Sequence, residues 1–168
     1  DFGKRDYSLH IAIAPTKNIG RFEWFLEKTT EIGIDEITPI LCHHSERKII
    51  KPERLQKIII SGLKQSIKAY IPELQCLTAF KNFITQPFQN VEKFIAYIDK
   101  PQNTLLQEEY SPGKDALILI GPEGDFSPEE VELAKDCGFI PISLGNSRLR
   151  TETAGIIACH TINMLNNK

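Results

Sequence analysis

With 168 residues, 41% of them hydrophobic and 25% charged, the chain has the size and composition of one globular domain with a sizeable core. A net charge of −2 argues against a generally basic protein that coats nucleic acid, although a local basic patch stays open because binding follows the distribution of charge. No apolar run approaches the roughly 20 residues of a membrane span.

In chain order, Leu9–Ala14 reads as a strand stopped by Pro15. Phe22, Phe25, Leu26, Thr29 and Ile32 then recur at helical spacing, with Gly33 suited to the left-handed position past a helix end. Ile37–Leu41 is a second strand, and Pro52 opens a helix carrying Leu55, Ile58, Ile59, Leu63 and Ile67. A short strand over Gln75–Leu77 and a brief helix over Phe80–Thr85 follow, then a strand over Phe94–Ile98 and a polar connection from Asn103 to Lys114. Leu117–Ile120 is a continuous apolar run of the kind buried on both faces of a parallel sheet. Ser127, Pro128 and Glu130 spell an N-cap, a first helical position and the carboxylate of a capping box, for a helix ending at Gly138. Ile140–Leu144 is the last strand and Thr153–Asn166 the last helix, capped by Thr151 or Thr153. Strands alternating with helices predict an α/β fold, a mostly parallel sheet flanked by helices. In such sheets ligands bind beyond the carboxyl ends of the strands, which directs attention to the loops at 99–104, 121–127 and 145–152.

The four cysteines, Cys42, Cys76, Cys137 and Cys159, form no C-x-x-C pair and no metal-finger spacing, and are expected as free thiols in a reducing cytoplasm. Cys42-His43-His44 is the one cluster with metal-ligand chemistry, but neighbours on a strand point to opposite faces and rarely share an ion. No metal is expected. Neither common phosphate-binding loop occurs, nor a G-x-S-x-G elbow.

Two other loops are distinctive. In Gly121-Pro122-Glu123-Gly124 a carboxylate sits between glycines directly after the buried strand. Glycines at 121, 124 and 145 permit close backbone approach to a flat ligand, although a tight turn explains any one of them as well. Arg148 and Arg150 flank Leu149 just before a helix, where the macrodipole disfavours positive charge, so an anionic partner is implied. Arg47, Lys48, Lys51, Lys64 and Lys68 could extend that surface, each alone being an ordinary solvated side chain.

Gly-Pro-Glu-Gly after a strand, followed by Leu144-Gly145-Asn146-Ser147-Arg148-Leu149-Arg150-Thr151-Glu152-Thr153-Ala154, resembles the ribosomal small-subunit RNA uridine-N3 methyltransferases of the SPOUT superfamily. Glu27-Lys28-Thr29-Thr30-Glu31-Ile32-Gly33-Ile34, Pro39, Ser45-Glu46-Arg47, Gln65-Ser66 and Pro72 extend the match, while Lys64 and Lys68 depart from the acid and arginine of the family pattern. The resemblance runs from about Ser8 to the end, so residues 1–7 are expected as the tail of a linker and 8–168 as the methyltransferase domain. The chain opens on Asp1 rather than Met, so it is expected to be a fragment, the catalytic half of a longer enzyme without the family's N-terminal RNA-binding barrel of PUA type.

The resemblance implies a SPOUT-type C-terminal trefoil knot, a homodimer, and S-adenosylmethionine bound within the knot. Gly121, Glu123 and Gly124 would form one wall of its pocket, and Leu144, Gly145, Leu149, Thr153 and Ala154 another, with Ile98 and Asp99 completing it. Glu123 is expected to order its loop through backbone amides. Arg150, then Arg148, would stabilise a uridinate oxygen, and Glu152 is the nearest candidate base. Arg47, Lys64, Gln65 and Lys68 would contact 16S ribosomal RNA of the small subunit. A ribose 2′-hydroxyl methyltransferase of the same fold and a non-catalytic RNA-binding or assembly module stand as alternatives.

Overall fold

Strands and helices alternate along the chain as β1 (Leu9–Ile13), α1 (Ile19–Ile32), β2 (Glu36–Leu41), α2 (Pro52–Ser66), β3 (Glu73–Leu74), β4 (Thr78–Ala79), α3 (Phe80–Ile84), β5 (Val91–Ala96), α4 (Leu106–Glu109), β6 (Asp115–Ile120), α5 (Pro128–Asp136), β7 (Ile140–Ile142) and α6 (Thr151–Asn166). The computed structural model describes residues 4–98 and 104–167. Among these the strand pairings are parallel, in the order β3-β2-β1-β6-β5-β7, with β4 pairing with β2 off that path. Ile13 lies level with Ile120, Leu119 with Ile95 and Ala96 with Ile142, so β1, β6, β5 and β7 all finish along one edge.

The two-residue period of a strand divides the core. Leu9, Ile11 and Ile13 point with Ile118 and Ile120 to one face, where Phe22 and Phe25 of α1, Leu55 and Ile59 of α2, and Ala158 and Ile162 of α6 cover them. Ala12 and Ala14 point with Leu117 and Leu119 to the other, beneath Phe80 and Phe83 of α3 and Val131 and Ala134 of α5. This is why Leu117–Ile120 reads as one unbroken apolar run: helices cover both of its sides. On the first face α6 lies so close to α1 that a Cβ at Gly155 would collide with the Phe25 ring. On the second, the half-buried His10 sets its Nε2 2.7 Å from Thr38 Oγ1 and packs edge-on to Phe83 and Phe88, and burial lowers its pKa to about 4.

Several elements differ from the sequence reading. The stretch 75–77 lies between β3 and β4 rather than in a strand. Ile67 continues the helical spacing but caps α2 in the left-handed conformation, with φ 54°, and stands 76% exposed. Gly33 does have positive φ, at 133°, but with ψ 105°, outside the left-handed helical region. The fifth strand is Val91–Ala96, not 94–98, and the polar connection contains the short α4. No helix among the described residues is long and apolar enough to cross a membrane.

Candidate active site

The loops following β5, β6 and β7 converge on a cavity of about 140 Å³ at the carboxyl edge of the sheet. Ile98 comes from the first loop, Gly121 and Glu123 from the second, and Leu144, Gly145, Arg148 and Leu149 from the third, with Thr151 and Ala154 closing the side formed by α6. The mixture suits a flat, partly polar ligand, with aliphatic side chains on opposing walls and exposed backbone between them.

Each loop is held by its own bonds. The Thr151 hydroxyl donates to the Gly121 carbonyl at 2.9 Å, fastening the start of α6 to the end of β6. Ser143 Oγ donates to the Gly145 carbonyl at 2.8 Å and accepts from the Gly145 amide at 3.1 Å, closing the turn after β7 on itself. Gly145 has φ +137°, and a Cβ built there meets nothing within 4 Å, so the backbone lies bare toward open space. Gly121 has a different reason to be glycine, since a Cβ would stand 3.1 Å from the Phe126 ring packed beneath the loop. Glu123 accepts a hydrogen bond from the Lys17 amide at 3.0 Å, which ties the loop after β6 to the loop after β1.

Not every expected site residue lies at the cavity. Gly124 faces His44, whose Cβ would be 3.0 Å from an added Cβ, and neither Gly124 nor Thr153 is among the described lining residues. Asp99 lies outside the described residues. Arg148 borders the cavity, whereas Arg150 is exposed as the N-cap of α6 and its side chain makes no capping bond. The cap is therefore neither Thr151 nor Thr153, and the helix begins two residues earlier than its apolar spacing suggests. Glu152 is only 6% exposed, with its carboxylate 3.9 Å from Arg21 Nε, a residue the sequence reading did not single out. Its signal was present: Arg21 stands in the first turn of a helix, the same dipole mismatch that drew attention to Arg148 and Arg150.

The four expected RNA contacts separate. Arg47 lies near the carboxyl edge, donating to the carbonyls of Thr16 (2.9 Å) and Lys17 (2.7 Å). Lys64 and Gln65 occupy the last turn of α2, which returns to the opposite edge, and Lys68 lines a larger cavity there of about 910 Å³. Size does not make that second cavity the active site. Among the described residues its loops lead into strands rather than follow them, and its Arg5 is committed to Asp35, Asn163 Oδ1 and the Gly33 carbonyl. In the Cys42-His43-His44 cluster, the buried Cys42 thiol is raised well above its ordinary pKa by desolvation, with the nearby Glu130 adding to the rise. Among the described residues no group of three or more His, Cys, Asp or Glu is placed to hold a metal ion.

Residues 4–163 match the RNA methyltransferase domain family. The ribosomal RNA small subunit methyltransferase E of Mesomycoplasma hyopneumoniae (strain 232) is 31% identical over 167 residues, covering 91% of this chain and 67% of that protein. Among solved structures, a probable rRNA methyltransferase from Porphyromonas gingivalis superposes with a TM-score of 0.90 at 49% identity, over 95% of this chain and 68% of the other. A ribosomal RNA small subunit methyltransferase E from Neisseria gonorrhoeae, bound to S-adenosyl methionine, gives a TM-score of 0.84 at 26% identity, over 95% of this chain and 67% of the other. The chain spans from 52% to 67% of the length of eight curated relatives that it matches.

Proposed function

The chain belongs to the ribosomal RNA small subunit methyltransferase E family, and from that premise we propose that it transfers a methyl group from S-adenosylmethionine to N3 of a uridine in 16S ribosomal RNA. Its parallel sheet flanked by helices is consistent with the SPOUT-type knotted fold. The observation that carries the proposal is the convergence of the loops after β5, β6 and β7 on one cavity, in a chain whose relative from Neisseria gonorrhoeae is bound to S-adenosyl methionine.

The residues fit such a cofactor. Ile98, Leu144, Leu149 and Ala154 offer apolar contact to an adenine, and the uncovered backbone at Gly145 allows the close approach that a side chain would deny. When bound, S-adenosylmethionine supplies an electrophilic methyl carbon, which the N3 electron pair takes as the carbon–sulfur pair returns to sulfur. Uracil N3 carries a proton at neutral pH, so the protein's part is to bind the base in line and stabilise the charge left when that proton departs to solvent. Arg150 is proposed as the first donor to a uracil oxygen and Arg148 as the second, both being exposed on the loop that leads into α6. Glu152, the candidate base, is read here as holding Arg21, a reading supported by its burial and its 3.9 Å contact with that arginine.

Arg47, Lys64, Gln65 and Lys68 remain RNA contacts in this reading, which asks RNA to reach both edges of the sheet. The homodimer belongs to the proposal as well, supported by Trp24 on α1 and Ile157 and Met164 on α6, exposed apolar residues on two helices that pack together. Cytoplasmic residence is supported by four free cysteines.

Calorimetric titration with S-adenosylmethionine and S-adenosylhomocysteine tests the pocket. Saturable binding near one per subunit, lost in Gly145→Val, is the expected result, and a folded protein that binds neither would overturn the reading. Incubation with small ribosomal subunits and cofactor, followed by nucleoside analysis, should place the mark on uracil N3. A methyl group on a ribose oxygen would replace this proposal with the ribose reading.

A further inference from the structure

A carboxylate at 6% exposure is costly to keep in a protein unless something opposes its charge, and Glu152 is opposed by Arg21. The pair is asymmetric. Glu152 is buried while the Arg21 side chain is 44% exposed, and the 3.9 Å from Nε to Oε2 is a charge contact rather than a hydrogen bond. An arginine has five N–H donors, and among the described residues the Arg21 guanidinium gives none of them to a hydrogen bond. It also stands in the first turn of α1, where the helix dipole disfavours a cation. The fold therefore holds a guanidinium by its charge, against a local electrostatic preference, with its donors unspent.

Its surroundings connect it to the cavity from two sides. Thr151, next to Glu152, borders the cavity and donates to Gly121. Lys17, four residues before Arg21, donates its amide to Glu123 on another wall. The turn between them is firm, with Asn18 Oδ1 accepting from the Gly20 amide at 2.9 Å and the Asn18 carbonyl from the Arg21 amide at 3.1 Å.

We propose that Arg21 contacts the target nucleotide and donates to the uracil oxygen on which negative charge collects when N3 loses its proton, and that Glu152 is the positioning residue that aims it. The inference rests on the methyl-transfer reading and adds a substrate contact to it. The proton goes to solvent, the N3 pair forms the new bond to the methyl carbon as the carbon–sulfur bond breaks and its pair returns to sulfur, and the charge stabilised by Arg21 disappears as the new bond forms. The recognised chemistry is an anionic oxygen, and RNA offers a second source of it in its phosphates; the geometry is assigned to the base.

The test is steady-state methyl transfer to small ribosomal subunits by wild type, Arg21→Ala, Arg21→Lys and Glu152→Gln, with cofactor affinity measured by calorimetry alongside. Arg21→Ala should lower kcat about 100-fold at neutral pH, as removal of one donor to a developing anion does, and leave cofactor affinity within about twofold. The deficit should shrink as pH rises toward ionisation of N3–H, because a base already deprotonated needs less help. Arg21→Lys, which keeps the charge and loses the fork, should recover only part of the rate. Glu152→Gln should lower kcat about tenfold with the same pH dependence, and the double variant should be no worse than Arg21→Ala alone, as expected for residues acting as one unit. A loss confined to KM, with the salt dependence of binding reduced by about one phosphate contact, would assign Arg21 to the RNA backbone and overturn the assignment to the base. Near-normal turnover by Arg21→Ala would overturn it outright, and that exposed position keeps the test valid even if Glu152→Gln does not fold. Absence of cofactor binding or transfer in the wild type would instead overturn the underlying function.

Discussion

Helices α5 and α6 each follow a strand that ends at the cavity, yet they begin in opposite ways. At α5 the cap closes on itself: Ser127 Oγ accepts from the Glu130 amide at 3.1 Å, Glu130 Oε1 accepts from the Ser127 amide at 2.9 Å, and Pro128 brings no N–H that needs a partner, while the second oxygen of Glu130 accepts from the His43 amide at 2.9 Å, away from the cavity. At α6 they reach outward. Arg150 makes no capping bond, Thr151 holds the end of β6, and Glu152 faces Arg21 on α1. A start whose cap is closed by its own first turn anchors a helix, whereas a start with no cap of its own, built from contacts to the cavity's other elements, shapes what lies beside it.

Arg150→Ala is the strongest attempt to break this contrast. Transfer to small ribosomal subunits should fall about 100-fold or more in kcat. The melting temperature should hold, because exposed positions seldom contribute more than about 0.5 kcal/mol; normal turnover would show that the open helix start is not used. The layer beneath α5 offers a different probe, in His10. Its pKa is lowered to about 4 from 6.5, so the unfolded chain binds the proton first as pH falls. Stability is complete above about pH 6.5 and declines toward pH 4, losing about 2 kcal/mol between pH 7.5 and 5. Urea unfolding across that range should show the slope, and His10→Gln should remove that share of it. A slope unchanged by His10→Gln would mean that other groups carry it, though not the neighbouring Glu36, whose pKa is raised by burial and which therefore favours the fold as pH falls. In the opposite layer, Gly155→Ala pushes a methyl group into the Phe25 ring and should destabilise by about 1.5 kcal/mol in the same assay, more than the helix propensity of alanine returns. Ser127→Ala removes the cap of α5 at about 1 kcal/mol and should leave kcat alone, as fits a helix start with a structural role.

Much of the fold was legible because its signals are local. The capping box of α5 and the apolar run of β6 occupy consecutive residues, and each is the physical cause of the element it announces. Where the cause lies elsewhere in the chain, the reading slipped. Thr151 reads as a cap of α6 rather than as its first residue, because Thr151 and Glu152 are held by Gly121 and Arg21, far away in the chain. Ile67 keeps the apolar spacing of α2, although the chain has already turned left-handed there. Strands β3 and β4 have two residues each, too few for a period to show. At the site, the glycine-bearing loops were evident from their composition. That Glu123 meets Lys17, or that α2 carries Lys64 and Lys68 away from Arg47, follows only from how the strands are ordered across the sheet.

The turn between β1 and α1 is gripped on both kinds of backbone group, with Arg47 taking the carbonyls of Thr16 and Lys17 and Glu123 taking the Lys17 amide. Its conformational entropy is therefore surrendered when the chain folds, before any partner arrives. A nucleic acid that approached this turn, as proposed, would meet a finished contour there, so little of the free energy of encounter would be diverted into ordering it. If RNA is captured at this turn, as proposed, the kinetic consequence is that its encounter with the turn would be governed by diffusion, charge and orientation rather than by waiting for the turn to find its shape.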